Sequence, residues 1–519
     1  MLENLIKVYL KNEDKNIINI LRNELKNNIK TDMMAENSLY KIILIICEMC
    51  IKGPLENQKT ALNMCYPDNL AISIYIIVFI LQEKTDKLKL FTKIINYIIN
   101  FFQKDYIKSD NDSFFNQRGY FRFFYNLIYL LNKSQGEEMI FDTEHKKINY
   151  FYQILEFLKN SSPINFTGFA MAWLELISCN IFLSNFLEAP NNPQHSKKKD
   201  KSEKYEKYEK YLLLLTDLLT YIDSLNQKII SNYNYIIFIE KVYKFFFLLT
   251  NTYPEFISKY YYQLITCLSG DSSHFIQLKN TILSAYPNNA PIIDIEKCFS
   301  SDKDEESKRE ESSQENIKKT ANILFDSGSA LEKNGIKNYI DKYINEENEI
   351  YLSNLVKNLN SIDDEKKVNK ICNMIIIYWC QSKHKYNLNE KSIESREIIF
   401  KFYEYLLLNL TQENREMLIN AILNSLRFPC VQTYAYSNLF QELFYEIKDE
   451  SIKEHMLNNL LIRMIYKPLP WGVCYTFVSL NKVEKYQKVM KPFIDKYNLN
   501  DIIKKIINGY KKNDLVNLV

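Results

Sequence analysis

The sequence predicts an all-α protein built as HEAT-like stacked antiparallel helix pairs, an α-solenoid in two stacks with charged low-complexity insertions. Three observations carry that prediction. Only 9 glycines and 12 prolines occur in 519 residues, far below the usual combined share of about 12%. Gly and Pro punctuate strands, hairpins and phosphate-binding loops, so their scarcity argues against a large sheet. Apolar residues also recur at helical spacing along most of the chain. Finally, no fixed repeat period is visible, which favours a diverged stack over a regular array.

The elements follow in order. Helical texture runs from Tyr40 to Phe102, from Tyr120 to Leu131 and from Leu212 to Ile265. Towards the C-terminus three stripes succeed one another. Leu418, Ile419, Ile422, Leu423 and Leu426 form the first, and Tyr436, Leu439, Phe440, Leu443, Phe444 and Ile447 the second. Ile452, Met456, Leu460, Leu461 and Met464 form the third. Amphipathic helices with short connections bury such stripes only against one another, and antiparallel pairs are the economical arrangement.

Two stretches break the pattern. HSKKKDKSEKYEKYEKY, from His195 to Tyr211, is a charged run with a helical extension expected only at its end. SSDKDEESKREESSQEN, from Ser300 to Asn316, is charged and serine-rich. Neither carries enough apolar surface to offset the entropy of ordering, so both read as solvated insertions or linkers. The expected division is an N-terminal stack over 1–299, a linker over 300–316 and a C-terminal stack over 317–519.

Composition excludes several classes of function. The balance of 66 basic and 63 acidic residues, a net charge of +3, is too nearly neutral to mark a nucleic-acid binder. The ten cysteines are scattered, mostly within apolar runs, as reduced core thiols are in a cytosolic or nuclear protein. MLENLIKVYLKNEDKN lacks the basic and apolar regions of a secretory signal. The apolar runs YKIILIIC and AISIYIIVFIL stop short of the ~20 residues of a membrane span, so a soluble protein is expected.

No catalytic constellation stands out. Cys47 and Cys50 form the one CxxC, inside an expected helix, without a second ligand pair to complete a zinc site. The five histidines, His145, His195, His274, His384 and His455, fall in no ligand spacing. P-loop, GxGxxG and GxSxG patterns are missing. The reading is therefore a protein that is not an enzyme, with no cofactor and no metal. Basic residues do interleave with aromatics in KYEKYEKY and KVYKFFF. That pattern admits a stacking platform for single-stranded RNA, against the plainer reading of a solvated face and a buried stripe.

The segment LLIRMIYKPLPWGVCYTFVSL is unusual for this chain, since Pro468, Pro470, Trp471 and Gly472 cluster in a sequence starved of those residues. It reads as one helix ending, a proline turn that cannot continue it, and a new helix opening near Trp471. This block resembles the last segment of the NOT-one scaffold family of CCR–NOT mRNA deadenylase complexes. REMLINAILNSLRFPCVQTYAYSNLFQELF resembles the neighbouring block, with Asn420, Ala421, Leu426, Arg427 and Pro429 in matching places. Further pieces follow in the family's order at Phe275 to Pro287, Thr252 to Ile265, Gly168 to Leu187 and, more loosely, Asn116 to Asn132. ILIICEMCIKG resembles a helix near the start of that region, which makes Cys50 structural.

The resemblance implies a non-catalytic scaffold docking a heterodimer of NOT-two and NOT-three/five subunits through their NOT-box domains. It would support deadenylation, translational repression and mRNA decay in the cytoplasm, with a nuclear pool as an alternative. A weak RNA contact would be an addition. The family's more N-terminal docking domains, which carry the Caf-type deadenylase and other modules, find no match here. The chain is accordingly expected to be a piece of a longer protein or a shortened or split scaffold. The neighbourhood expected to meet the partner comprises Arg427, Phe428, Pro429, Pro468, Pro470 and Trp471, with the stretch from Arg427 to Val519 necessary for docking. Trp471 itself reads as a buried wedge between helices, and Arg427 as equally suited to bonding helix-end carbonyls or a partner. Competing readings are a helical-repeat RNA binder and a karyopherin-like adaptor.

Overall fold

The computed structural model describes residues 71, 74, 87–109, 115–133, 144–187, 201–225, 233–269, 273–288, 290, 291, 295, 326–381 and 393–499. Among them are 19 α-helices and no strand, as the periodicity and the shortage of Gly and Pro predict. No single described helix is long and apolar enough to cross a membrane. The expectations for Cys47 and Cys50, for His195 and for the charged stretch 300–316 lie outside the described residues.

Contacts divide the chain into two compact units, Met1–Tyr221 and Ile222–Val519. The first contains α1 (Lys87–Lys108), α2 (Gln117–Lys133), α3 (Glu144–Asn160), α4 (Ala170–Ile177) and α5 (Asn180–Phe186), and most of α6 (Lys201–Ser224). Helix α1 packs on α3, and α2 on α4. Their centre is aromatic. The fully buried Phe102 ring meets Phe115, Tyr120, Phe157, Phe166 and Phe169 edge to face, with centroids 5.0 to 5.6 Å away. That geometry sets the positive ring edges against the negative faces.

The charged run from His195 to Tyr211 differs from its expected role as a solvated insertion. From Lys201 onwards it is the first half of α6, and Tyr208 and Tyr211 are 1% and 0% exposed. Glu203–Lys207 and Glu206–Lys210 pair one turn apart on its outer side. The charges therefore belong to one face of a helix whose other face is core. Tyr211 also donates to the Ile177 carbonyl at 2.8 Å. Tyr211→Phe keeps the ring but leaves that acceptor without its buried donor, and should cost about 1–2 kcal/mol. A urea titration followed by circular dichroism measures it.

The second unit holds α7 (Tyr233–Thr252), α8 (Pro254–Ile265) and α9 (Ser273–Leu283). After them come α10 (Ser327–Lys333), α11 (Lys337–Glu346), α12 (Glu349–Asn360), α13 (Glu365–Gln381), α14 (Ile393–Asn409) and α15 (Gln412–Asn424). It closes with α16 (Val431–Glu446), α17 (Glu450–Ile465), α18 (Trp471–Lys482) and α19 (Glu484–Lys496). From α12 onwards alternate helices form two layers. Helices α12, α14, α16 and α18 pack in succession in one, and α13, α15 and α17 in the other. Helix α9 docks on α17, and α19 covers α16 and α18. Boundaries are set locally: Asn348, Thr411 and Asp449 accept backbone N–H groups at the starts of α12, α15 and α17.

The division does not fall at the expected linker over 300–316. Helices α8 and α9 belong with the second unit, and their side chains bond to its later helices. Asn280 on α9 donates to the carbonyls of Arg463 (2.9 Å) and Tyr466 (2.6 Å), and Tyr262 on α8 donates to the Lys370 carbonyl at 3.3 Å.

Candidate partner-binding site

The second and third C-terminal stripes lie where the spacing places them, except that Leu461 is half-buried while Leu457 takes a core position. Two loops join these helices at one end of the stack. Residues 425–430 connect α15 to α16, and residues 466–470 connect α17 to α18. The two loops and the first residue of α18 carry all six residues of the sequence-predicted neighbourhood. Arg427, Phe428, Pro429, Pro470 and Trp471 are buried, and Pro468 is half-buried after a cis peptide bond from Lys467.

Arg427 is the hinge pin of this arrangement. Its Nη1 donates to the Ser258 carbonyl of α8 at 2.9 Å and its Nη2 to Gln432 Oε1 at 3.2 Å. The guanidinium carbon lies 3.7 Å from the Tyr261 ring centroid and 5.0 Å from that of Phe428. Gln432 in turn donates to the Tyr261 hydroxyl at 3.3 Å. A planar, weakly hydrated cation with fixed donors suits this combination of ring face and two acceptors, where an ammonium does not. Its bonds go to a carbonyl in the middle of a neighbouring helix and to a side chain, not to a helix end.

The two loops meet through the backbone. Gly472 N donates to the Arg427 carbonyl at 2.6 Å. A Cβ on Gly472 would lie 2.4 Å from Thr433 Cγ2 and 2.7 Å from the backbone carbon of Leu426. Only glycine lets α18 start against the end of α15. Gly472→Ala should therefore destabilise the unit by about 1–3 kcal/mol through overpacking, read as a lower urea midpoint at unchanged slope. Trp471 opens α18 as expected, packed as a wedge: it stacks on Tyr475 (5.1 Å, 11°) and meets Tyr434 edge-on (5.6 Å, 75°). Phe428 and Cys430 pack with Ala290 and Tyr286.

Polar groups extend from this joint along the interior. Thr476 donates to Ser437 at 2.7 Å, and Ser479 to Gln441 at 2.5 Å, linking α18 to α16. Tyr403 and Tyr436 share a 2.9 Å hydrogen bond, and Tyr436 donates to the Ile376 carbonyl. Burial holds both phenols well above the usual tyrosine range, so they remain neutral donors. In the other layer Asn373 accepts from Asn424 at 3.1 Å, and Asn424 accepts from Arg463 Nη2 at 2.7 Å. Together with the Asn280 bonds, that chain ties α13, α15, α17 and α9 together. None of these asparagines stands among the residues singled out from the sequence. An Asn inside the otherwise apolar run ICNMIII, and another after the apolar run AIL in AILNSL, are the signal that could have found the ladder.

Among the described residues no group of three or more His, Cys, Asp or Glu side chains could hold a metal ion, and the described cysteines are free thiols. What the two loops build is a mechanical joint, and the second unit is an α-solenoid of the HEAT-like class. Comparison with known proteins then places it. The family model "CCR4-Not complex component, Not1" matches residues 130–507, and the chain belongs to the Not1 family.

General negative regulator of transcription subunit 1 of Saccharomyces cerevisiae is 23% identical over 462 residues, covering 81% of this chain and 20% of that one. Its Schizosaccharomyces pombe counterpart is 26% identical over 456 residues, covering 79% and 18%. CCR4-NOT transcription complex subunit let-711 of Caenorhabditis elegans is 23% identical over 417 residues, covering 78% and 15%. The chain thus spans a fifth or less of these relatives. Two solved structures share its fold. The NOT1 superfamily homology domain of Chaetomium thermophilum superposes with a TM-score of 0.76 at 18% identity, covering 95% of this chain and 94% of that one. A Not1 C-terminal domain in complex with Not4 gives 0.68 at 20% identity, covering 93% and 95%.

Proposed function

We propose that this chain is a non-catalytic scaffold domain of a CCR4-Not complex, docking the NOT-box heterodimer of NOT-two and NOT-three/five subunits. In that role it supports mRNA deadenylation, translational repression and mRNA decay, in the cytoplasm with a nuclear pool. The observation that carries the reading is the continuous two-layer stack with its ends locked by interior polar joints. Such a body presents long helical faces at little entropic cost to a partner that must bury anchors on them. The solved Not1 C-terminal domain of the same fold is bound to Not4, so a Not4-type protein joins the proposed partners.

The proposed interface is the outer surface around the 427–471 joint. Five of the six residues named there are buried, so they act by holding that surface in place. Deleting Arg427 to Val519 is a poor probe, because it strips the partners of Ser258, Asn280 and Tyr261. Affinity purification of the tagged full chain from its source tests the proposal. NOT-two, NOT-three/five or Not4-type proteins should co-purify after nuclease treatment. Recovery of RNA or transport cargo in their place contradicts it.

A further inference from the structure

Helix α7 is apolar on two opposite sides, and only one of them is core. Phe238, Ile239, Val242, Phe245, Phe246 and Leu249 make its buried face, and the helix packs on α9 and α8. On the other side Tyr233 is 74% exposed, Ile236 38%, Phe247 46% and Leu248 45%. Glu240, Lys244 and Asn251 stand exposed on that same side, with Ile237 and Tyr243 half-buried at its edges. At 3.6 residues per turn these positions fall within roughly 140° of the helix circumference. A helix apolar all round belongs in an interior, and an open stripe of this kind marks a contact surface.

The order of residues along the stripe says what covers it. Taken in pairs at equal distance from Val242, Glu240 is matched by Lys244, Ile237 by Phe247, Ile236 by Leu248 and Tyr233 by Asn251. Acid meets base, and apolar meets apolar in the next two pairs. In a two-fold contact between antiparallel copies residue i meets residue j and j meets i, so one register satisfies all these pairs together. Neighbouring registers do not. Centred on Glu240 the contact sets that carboxylate against itself, and centred on Lys244 it sets two ammonium groups together. With one exposed acid and one exposed base, the stripe selects neither a basic peptide nor a phosphate chain.

We propose that α7 is the contact of a homodimer, packing antiparallel on α7 of a second copy about a two-fold axis at the level of Val242. The four open apolar side chains offer about 400 Å² per copy, so the pair buries about 800–1,000 Å², the small end of specific interfaces. The dimer is therefore reversible, with a dissociation constant on the order of 10 μM. The occupant is this chain itself, and the proposal stands or falls without the scaffold reading.

Sedimentation equilibrium of the full chain from about 1 to about 200 μM tests it, because the average mass should climb from 61.9 kDa towards twice that value. Ile236→Glu combined with Phe247→Glu should hold the chain monomeric throughout. Glu240→Lys and Lys244→Glu should each weaken association at least about fivefold, since each sets like charges together at both symmetry-related contacts. An equimolar mixture of those two single variants should associate as wild type does, and so should the variant carrying both changes. Ile350→Glu, at a 63% exposed apolar position on α12, should change nothing. Circular dichroism melts confirm that each variant is folded. A wild type that stays monomeric overturns the proposal and leaves the stripe to another occupant. A dimer that survives Ile236→Glu with Phe247→Glu, or single charge variants that do not recover on mixing, overturns it as well.

Discussion

Trp471→Ala should lower the stability of the second unit by about 3–5 kcal/mol, the cost of emptying a buried aromatic site. The ring is 5% exposed and closes a three-ring cluster with Tyr434 and Tyr475, whose centroids are 5.3 Å apart. No neighbour can fill the space, because α18 is already seated against the end of α15 by Gly472. Trp471→Phe retains a ring and should recover roughly half of the loss. Chemical denaturation with fluorescence and circular dichroism as paired probes measures both. Any loss of partner capture by Trp471→Ala should follow its unfolded fraction, since the ring is interior.

Arg427→Ala should cost about 3 kcal/mol or more, from two charge-assisted hydrogen bonds and the contact with the Tyr261 ring. The damage reaches across the chain, because Ser258 lies 169 residues earlier in sequence. Removing the guanidinium leaves the Ser258 carbonyl with one acceptor site unused and Gln432 without its donor. Arg427→Lys keeps the charge but not the planar fork, so it should recover little of the loss. A lysine variant as stable as wild type would show that charge alone is what the site needs. Hydrogen exchange adds a second readout: α8 amides near Ser258 should lose protection in Arg427→Ala.

Much of this architecture is legible in the sequence because its signals are local. The stripes at 418–426 and 436–447 need only the 3.6-residue period, and all their members are buried. The start of α18 at Trp471 follows from prolines that cannot continue α17. The run from Lys201 to Tyr211 is misread because charge frequency hides spacing. Tyr208, Tyr211, Leu215, Leu218 and Ile222 form one buried stripe, while the glutamates and lysines at 203, 206, 207 and 210 pair with one another one turn apart.

The joint itself is legible only in part. Clustered Pro, Trp and Gly mark residues 468–472 as special, but nothing local says that Arg427 will find Tyr261 and Ser258. Contacts between distant segments likewise place the division near 221 and not at the charged stretch. The same limit hides the ladder of Asn280, Asn373, Asn424 and Arg463, in which Asn280 and Arg463 are 183 residues apart. Each side chain is ordinary in its own window and meaningful only beside its partners.

Mixing the purified full chain with a reconstituted heterodimer of NOT-two and NOT-three/five subunits tests the scaffold reading most directly. Isothermal titration, followed by size-exclusion chromatography of the mixture, should give one stoichiometric complex with a dissociation constant of about 1 μM or tighter, ~8 kcal/mol of binding free energy. No heat and no co-elution at several times that concentration, with the chain shown to be folded, contradicts the reading. Tight RNA binding with a steep salt dependence in the same preparation would assign the surface to nucleic acid instead.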